Sequence, residues 1–419
     1  MAASVTPPRG MRDILPADKA RREAVLARIR RVYTAHGFDE IETPVVEDTA
    51  RLFSGLGGDN EKLAYAVMKR GLTMDDLAAA ASPLDLADLG LRFDLTVPLA
   101  RFYASNRGVL PGVFRSIQIA PVWRAERPQK GRYRQFVQCD IDIIGEPGIS
   151  AEVELITATA AALDALGIPG SSIRINDRRL LTAWLSAFAV PETLQPKALI
   201  TLDKLDKIGL DAVIAELTEL GVADAAGLMG WIDLDADADA AWGMLDRAPG
   251  DAAAAVADLR QLRAALPGVA LRFDPLLVRG MGYYTGPIFE VAHPDLGYSL
   301  GGGGRYDGMI GRFLGTDVPA TGFSLGFERL IDLVDLGDDA VVDAVALVHD
   351  ADADLGALMA LKSALVAGGA RVRLLRRPKN LKAALDQLAA DGYQRFALVG
   401  PEAPADAGSL DWRRLDSAS

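Results

Sequence analysis

The chain has 419 residues, 50% of them apolar, and a formal net charge of -12; that length exceeds what one core usually serves, so two or three domains are expected. The acidic total argues against a general nucleic-acid binder, which needs clustered Lys and Arg, and a single cysteine, Cys139, excludes an intramolecular disulfide and suits a reducing compartment. The opening MAASVTPPRGMRD has no apolar signal segment and no apolar run reaches membrane length, so a cytoplasmic protein with no membrane partner is expected.

Residues 18–36, DKARREAVLARIRRVYTAH, set Val25, Ile29 and Val32 at helical spacing with Leu26 and Tyr33 beside them, and Gly37 stops the helix. FDEIETPVVED reads as a strand interrupted by Pro44, whose missing donor favours an edge or bulge. Gly55, Gly57 and Gly58 open a flexible stretch, and residues 74–89 read as a helical or loop excursion. LGLRFDLTVP alternates Arg92, Asp94 and Thr96 with Leu91, Phe93, Leu95 and Val97, the pattern of a strand with one polar face.

The same design recurs in VWRAERPQKGRYRQFVQCDIDIIG, residues 122–145, which reads as two strands joined by a cationic loop. Alternation puts Arg134, Gln138, Asp140 and Asp142 on one face and Val137, Cys139, Ile141 and Ile143 on the other. Arg124 and Glu126 share a side at the end of the first strand. Residues 115–134 carry Arg115, Arg124, Arg127, Lys130, Arg132 and Arg134 against one acid, Glu126. A focused basic cleft on an acidic body fits a polyanionic ligand held at one place.

AEVELITATAAALDALGI reads as an Ala-rich helix ended by Gly167 and Pro169, and SIRIN as a strand of the same sheet. From residue 177 to 268 the texture is helix after helix, an all-helical insertion. ALRFDPLLVRGMGYYTGPIFEVA resumes the sheet, with alternation sending Tyr283 and Tyr284 to opposite faces. GYSLGGGGRYDG reads as a turn and Gly-rich segment able to approach a ligand closely. TGFSLGFERLIDLV is a strand breaking at Gly326 into a helix with Phe327, Leu330, Ile331 and Val334 inward. Arg329 near that helix start gains nothing from the macrodipole, a placement that points to function. After the linker DLGDDA, the strands AVALVHD, ARVRLLRR and RFALVGP alternate with helices, which implies a small parallel sheet. Arg371, Arg373, Arg376, Arg377, Lys379 and Lys382 there form either an RNA-facing surface or a solvated basic face.

RFDLTVPLAR, VWRAERPQKGRYRQFVQCDIDIIG, LVRGMGYYTGPIFEV, GGGGRYDG and GFSLGFERL, in this order, resemble the signature segments of the histidyl-tRNA synthetase family, which are class II aminoacyl-tRNA synthetases. The resemblance covers about residues 8–334 and implies an α/β (α+β) fold, an antiparallel class II sheet flanked by helices. It implies a catalytic domain in two parts, 1–176 and 269–335, split by the insertion at 177–268 and followed by an anticodon-binding-like α/β domain at 341–419. The first helix, strand and Pro44 resemble motif 1, which implies a homodimer, and the insertion resembles one that approaches the tRNA acceptor stem.

The implied activity joins the carboxylate of L-histidine to the α-phosphate of ATP and then transfers the histidyl group to tRNA(His). Arginine suits such chemistry because its planar fork grips phosphate or carboxylate and stays charged. By resemblance Arg124 bridges the substrate carboxylate and the α-phosphate, Arg279 helps polarise both, and Arg329 holds the γ-phosphate end. Glu126 and Arg132 are expected at the adenine and phosphates, with Gly303 also in the ATP site. Asp94, Leu95 and Thr96 form a histidine-binding segment in which Asp94 and Thr96 accept from the α-ammonium. Asp142 with Tyr283 meets the imidazole, Gln138 lies close by, and Tyr284 completes that segment. Mg²⁺ is expected with ATP, and no ligands for it are assigned.

The family usually has Asp where this chain has Gly282, which removes a carboxylate beside the tyrosines. His36, His293 and His349 form no cluster, so no metal or catalytic role is assigned to them. The alternative reading is the synthetase-like regulatory subunit of ATP phosphoribosyltransferase, a histidine sensor that typically lacks the last domain and erodes the arginines. Retention of Arg124, Arg279 and Arg329 and the extra domain favour the ligase. A class II synthetase for another amino acid is disfavoured by LVRGMGYYTG and by the pairing of Gln138 with Asp142.

Overall fold

The helix Pro16–Ala35 buries Val25, Leu26, Ile29 and Tyr33, the side chains whose spacing marks it, and Gly37 closes it at a φ of 86°. Pro44 then divides the next extended stretch between two sheets: β1 (Asp39–Glu40) joins the main sheet, and β2 (Val46–Asp48) joins β3 (Tyr65–Met68) and β4 (Ala87–Leu91) in a small one ordered β2-β4-β3. These elements belong to a computed structural model that describes residues 5–53, 63–128, 131–232, 238–278, 283–335, 343–402, 404 and 406–415. Gly55, Gly57, Gly58, Lys130, Arg279 and Gly282 lie outside the described residues. The excursion at 74–89 is a helix, Met74–Ala79, capped by Thr73, and a 3₁₀ turn, Pro83–Leu86.

The expected strand over LGLRFDLTVP is not formed. β4 ends at Leu91 and the helix Thr96–Asn106 starts at Thr96. The physical reason lies in where its polar groups go. Arg92 is buried and donates from Nη1 to the carbonyl of Thr43 at 2.8 Å and from Nε to that of Pro121 at 3.0 Å. Asp94 accepts from the amide of Val97 at 3.2 Å, so the carboxylate stabilises a helix start instead of continuing a ladder. Both parities of the segment are consequently buried, and alternation carries no face information there.

The main sheet continues with β5 (Phe114–Trp123), β6 (Gln135–Ile144), β7 (Ser172–Asp177), β8 (Leu271–Phe273), β9 (Pro287–Ala292), β10 (Gly301–Arg305) and β11 (Ala320–Gly326). Its order is β1-β5-β6-β11-β10-β9-β7-β8, antiparallel except for the β1–β5 and β7–β8 pairs at the edges. The first hairpin strand is longer than its sequence pattern suggests, running from Phe114 opposite Ile144 to Trp123 opposite Gln135. One face of β6 buries Cys139, Ile141 and Ile143 completely, and the helix Ser150–Ala165 packs on β6 and β11 with Leu155, Ile156, Ala158 and Ala162 fully buried. Each large side chain among them contributes roughly 1.5–3 kcal/mol.

The glycine run 301–304 is part of a central strand, not a turn. β10 pairs with β9 on one side and β11 on the other, and its register sets Gly303 opposite Phe323 and Phe289. A Cβ on Gly303 would stand 1.9 Å from the carbonyl oxygen of Gly322, and one on Gly322 would stand 1.9 Å from Asp142 Oδ1. The run is therefore bare because neighbouring backbone and a carboxylate occupy the space a side chain would need. Gly303→Ala is expected to cost about 3 kcal/mol, as overpacking against rigid backbone does; an unchanged urea midpoint would show that the strands can separate freely.

Between β7 and β8 the described chain is helical, from Arg178–Ala187 to Ala253–Ala265, around a core that includes Trp184, Leu217, Leu228, Leu259 and Leu262. Asp177 caps the first of these helices and grips Arg179, which also reaches Asp258 at 2.7 Å. These elements lie in a unit of Met1–Arg12 and Leu26–Asp335; a second unit comprises Asp13–Val25 and Leu336–Ser419. In the second, β12 (Ala344–His349) stands parallel between β13 (Arg371–Arg376) and β14 (Arg395–Val399), and β15 (Arg413–Arg414) adds an antiparallel edge. Its helices Leu355–Ala367 and Leu381–Ala390 start on the caps Asp354 and Asn380. Arg371 and Arg373 stack on Tyr393, Arg373 also pairs with Asp391 and Arg377 with Asp350, while Arg376, Lys379 and Lys382 are exposed. Among the described residues no helix is long and apolar enough to cross a membrane.

Candidate active site

The polar face of β6 forms the floor of a cavity of about 940 Å³ lined by Gln138, Asp140 and Asp142, together with residues from β9, β10 and β11. Strand pairing fixes these side chains: Gln138 stands opposite Gly326, Asp140 opposite Ser324 and Asp142 opposite Gly322. Because Gly322 has no side chain, the Asp142 carboxylate fits, and Tyr306 donates its hydroxyl to Oδ1 at 2.6 Å. Gln138 donates from Nε2 to Ser324 Oγ at 3.1 Å and to Asp140 Oδ2 at 3.4 Å. Asp94 and Thr96 line the cavity beside them from the start of the helix Thr96–Asn106.

Burial governs the charge at this end. It raises the Asp142 carboxyl to about 7, with Tyr306 opposing the rise and Asp94 adding to it. It pushes Asp140 well above the usual carboxylate range, reinforced by Asp142. The Tyr306 hydroxyl is driven up too, first by burial and then by Asp142. An acidic pocket of this kind suits a cationic or hydrogen-bond-donating group.

The other end is basic. Arg124 follows β5 and donates from Nε to the carbonyl of Phe93 at 2.8 Å, its guanidinium carbon 5.2 Å from the Phe136 ring centre. Anchored by Nε, Arg124 lines the cavity. Arg329, in the short helix Phe327–Leu330 after β11, donates to the carbonyl of Ser299 at 2.6 Å and lies over Tyr298. Arg132 and Glu126 line the same cavity, 3.9 Å apart. A cavity that brings buried carboxylates and arginines together over one sheet can hold a molecule with a cationic part and a polyanionic one.

Of the expected site residues, Asp94, Thr96, Arg124, Glu126, Arg132, Gln138, Asp142, Tyr283, Tyr284, Gly303 and Arg329 all line this cavity. Leu95 does not: it is fully buried, and its carbonyl accepts from Gln118 Nε2 at 3.1 Å. Arg279 is outside the described residues. Tyr283 and Tyr284 are not split between faces, because β9 starts only at Pro287; both reach the cavity, their ring centres 4.8 Å apart.

Sequence reasoning missed Tyr306, whose role depends on β10 being a strand, a fact four glycines conceal. It also did not assign Asp203 and Lys207 of the helical segment to the site, though both line the cavity. Arg12 was missed as well. It pairs with Glu328 at 2.6 Å and lies 3.7 Å over the Tyr133 ring, tying the amino-terminal segment to the hairpin loop and to the helix after β11.

A profile of the histidyl-tRNA synthetase family matches residues 10–330. The histidine–tRNA ligase of Leifsonia xyli is 61% identical over 98% of this chain and 99% of its own. A crystal structure of histidyl-tRNA synthetase from Nostoc superposes with a TM-score of 0.77 at 25% identity, covering 95% of this chain and 92% of that one. In fold alone, the chain also matches a Bacillus halodurans structure titled as an ATP phosphoribosyltransferase regulatory subunit/histidyl-tRNA synthetase, at a TM-score of 0.79 and 22% identity over 96% of this chain and all of that one.

Proposed function

The chain belongs to the histidyl-tRNA synthetase family, and from that premise we propose that its cavity activates L-histidine with ATP and passes the histidyl group to tRNA(His). The observation that carries this reading is the single cavity that gathers Asp94, Asp140 and Asp142 with Arg124, Arg132 and Arg329. In the first step a carboxylate oxygen of histidine attacks the α-phosphorus and the bond to pyrophosphate breaks. In the second, a ribose hydroxyl of the tRNA attacks the acyl carbon and AMP leaves. No covalent bond to the protein is needed, so the work is positioning and the stabilisation of negative charge.

Arg124, held at Nε, presents its remaining donors to the carboxylate and α-phosphate, and Arg279 reinforces it. Arg329 takes the far end of the polyphosphate, while Glu126 and Arg132 flank the nucleotide near Gly303. Asp94 and Thr96 receive the α-ammonium near Gln138. Asp142, oriented by Tyr306, accepts from the imidazole N–H with Tyr283 and Tyr284 alongside. Mg²⁺ would enter with the nucleotide and neutralise its phosphates; among the described residues no group of three or more His, Cys, Asp or Glu is placed to hold a metal.

A homodimer working in the cytoplasm completes the proposal. Val45, Val46, Val67, Met68 and Leu89 are left exposed on or beside the small sheet, as a subunit contact would use them, and sedimentation at micromolar concentration as a monomer would refute the dimer. The test of the function itself is aminoacylation. Purified protein with ATP, labelled histidine and tRNA(His) should accumulate acid-precipitable label. Histidine binding without any charging would favour the regulatory-subunit reading.

A further inference from the structure

The acidic end of the cavity contains one more carboxylate than these roles use. Asp140 is only 4% exposed, yet its Oδ1 has no hydrogen-bond partner among the described residues, and neither has Oε1 of the adjacent Gln138. Both residues stand on the polar face of β6 and line the cavity, with these two oxygens buried at its floor. Leaving a buried acceptor unpaired costs about 1–3 kcal/mol, so two of them side by side are retained most easily where a ligand supplies donors. An ammonium group carries three N–H donors and no acceptor, which matches two vacant oxygens beside a second carboxylate, Asp94.

The charges around Asp140 point the same way. From its own strand it meets Asp142 and Gln138, from β11 Ser324, from the segment before the helix Thr96–Asn106 Asp94, from the end of β5 Arg124, and more remotely Tyr33 and Tyr306. Of the charges that act most on Asp140, two are carboxylates, Asp142 and Asp94, and one is a cation, Arg124. Burial and Asp142 together favour the neutral form of Asp140 in the empty cavity, and an arriving cation reverses that preference.

We infer that Asp140 is a second counter-ion for the α-ammonium of the substrate, its Oδ1 accepting an N–H alongside Asp94 and Thr96, with Gln138 Oε1 sharing one of these donors. The pocket then measures the amine by charge from two sides and leaves Asp142 to read the ring. This rests on the cavity being the histidine pocket.

Calorimetric binding of L-histidine and of its deamino analogue, imidazolepropionate, separates the possibilities. Asp140→Asn and Asp140→Ala should each weaken histidine about tenfold or more, the worth of one charge-assisted hydrogen bond, while the analogue, which has no ammonium, changes little. Equal losses for both ligands would mean that Asp140 merely supports the strand, and no loss for either would mean that it does not touch the substrate; both results overturn the inference. If the unaltered protein binds neither ligand, the histidine-pocket reading itself fails. If it binds them normally and Asp140→Asn keeps the same preference, only the role of Asp140 falls.

Discussion

Arg124→Ala is expected to lower histidine-dependent ATP–pyrophosphate exchange by about 10²–10³-fold, the usual loss when a preorganised donor to developing charge is removed, with the protein still folded. The geometry explains the size. Arg124 is half-buried and its Nε is already committed to the carbonyl of Phe93, so the orientation of its fork is settled before substrate arrives. A lysine at this position supplies charge without the fork or the anchor, and Arg124→Lys should recover little. Because the lost interaction belongs to the transferring phosphorus, kcat should fall far more than either KM rises. For Arg279→Ala, whose role as a charge donor rests on the family resemblance, a loss of at least about tenfold is expected. Normal exchange by either variant would remove that arginine from the reaction.

Asp142→Asn should produce two opposite changes. Histidine affinity should fall by about 10²-fold, since a charged acceptor for the imidazole N–H is lost and an amide donor can replace it in the wrong sense, while ATP affinity is retained. The empty protein should become more stable at neutral pH. Asp142 has a folded value of about 7 against an ordinary 3.8; the folded state therefore holds a proton between those values that the unfolded chain releases. Stability from this group is fully present below about pH 4, declines as pH rises, and is lost above 7, where the buried carboxylate must ionise. Asparagine can still accept from Tyr306 without that cost, so a gain on the order of 2 kcal/mol is expected above pH 7, shrinking as pH falls toward 4. Thermal melts at pH 8 and pH 5 read the difference. Equal weakening of histidine and ATP would move Asp142 out of the amino-acid pocket. A destabilised variant at pH 8 would show that the carboxylate is not strained there.

What the sequence discloses depends on whether side chains carry the pattern. Gln138, Asp140 and Asp142 alternate with Cys139, Ile141 and Ile143, and the strand they predict forms with those faces, because a half-polar strand between two neighbours can adopt only one orientation. The terminal βαβ order and the helix at 16–35 are legible for the same reason: their apolar spacing is the packing. The glycines of β10 carry no such record. What holds them is the bulk of neighbours distant in sequence, Gly322 and through it Asp142, and with the strand unseen Tyr306 could not be placed against Asp142. At residues 92–95 the alternation is present but misleading, since the carbonyls of Thr43, Pro44 and Pro121 draw Arg92 inward and Asp94 turns to the helix it starts. Leu95 then points into the core although both its neighbours line the cavity.

The most direct measurement is pyrophosphate exchange into ATP with each standard amino acid supplied in turn. Histidine alone should support exchange, and removing Arg124 should abolish nearly all of it. Exchange driven equally well by another amino acid, or none with histidine, would mean that acid and arginine ends meeting over one sheet face do not make a histidine-activating site.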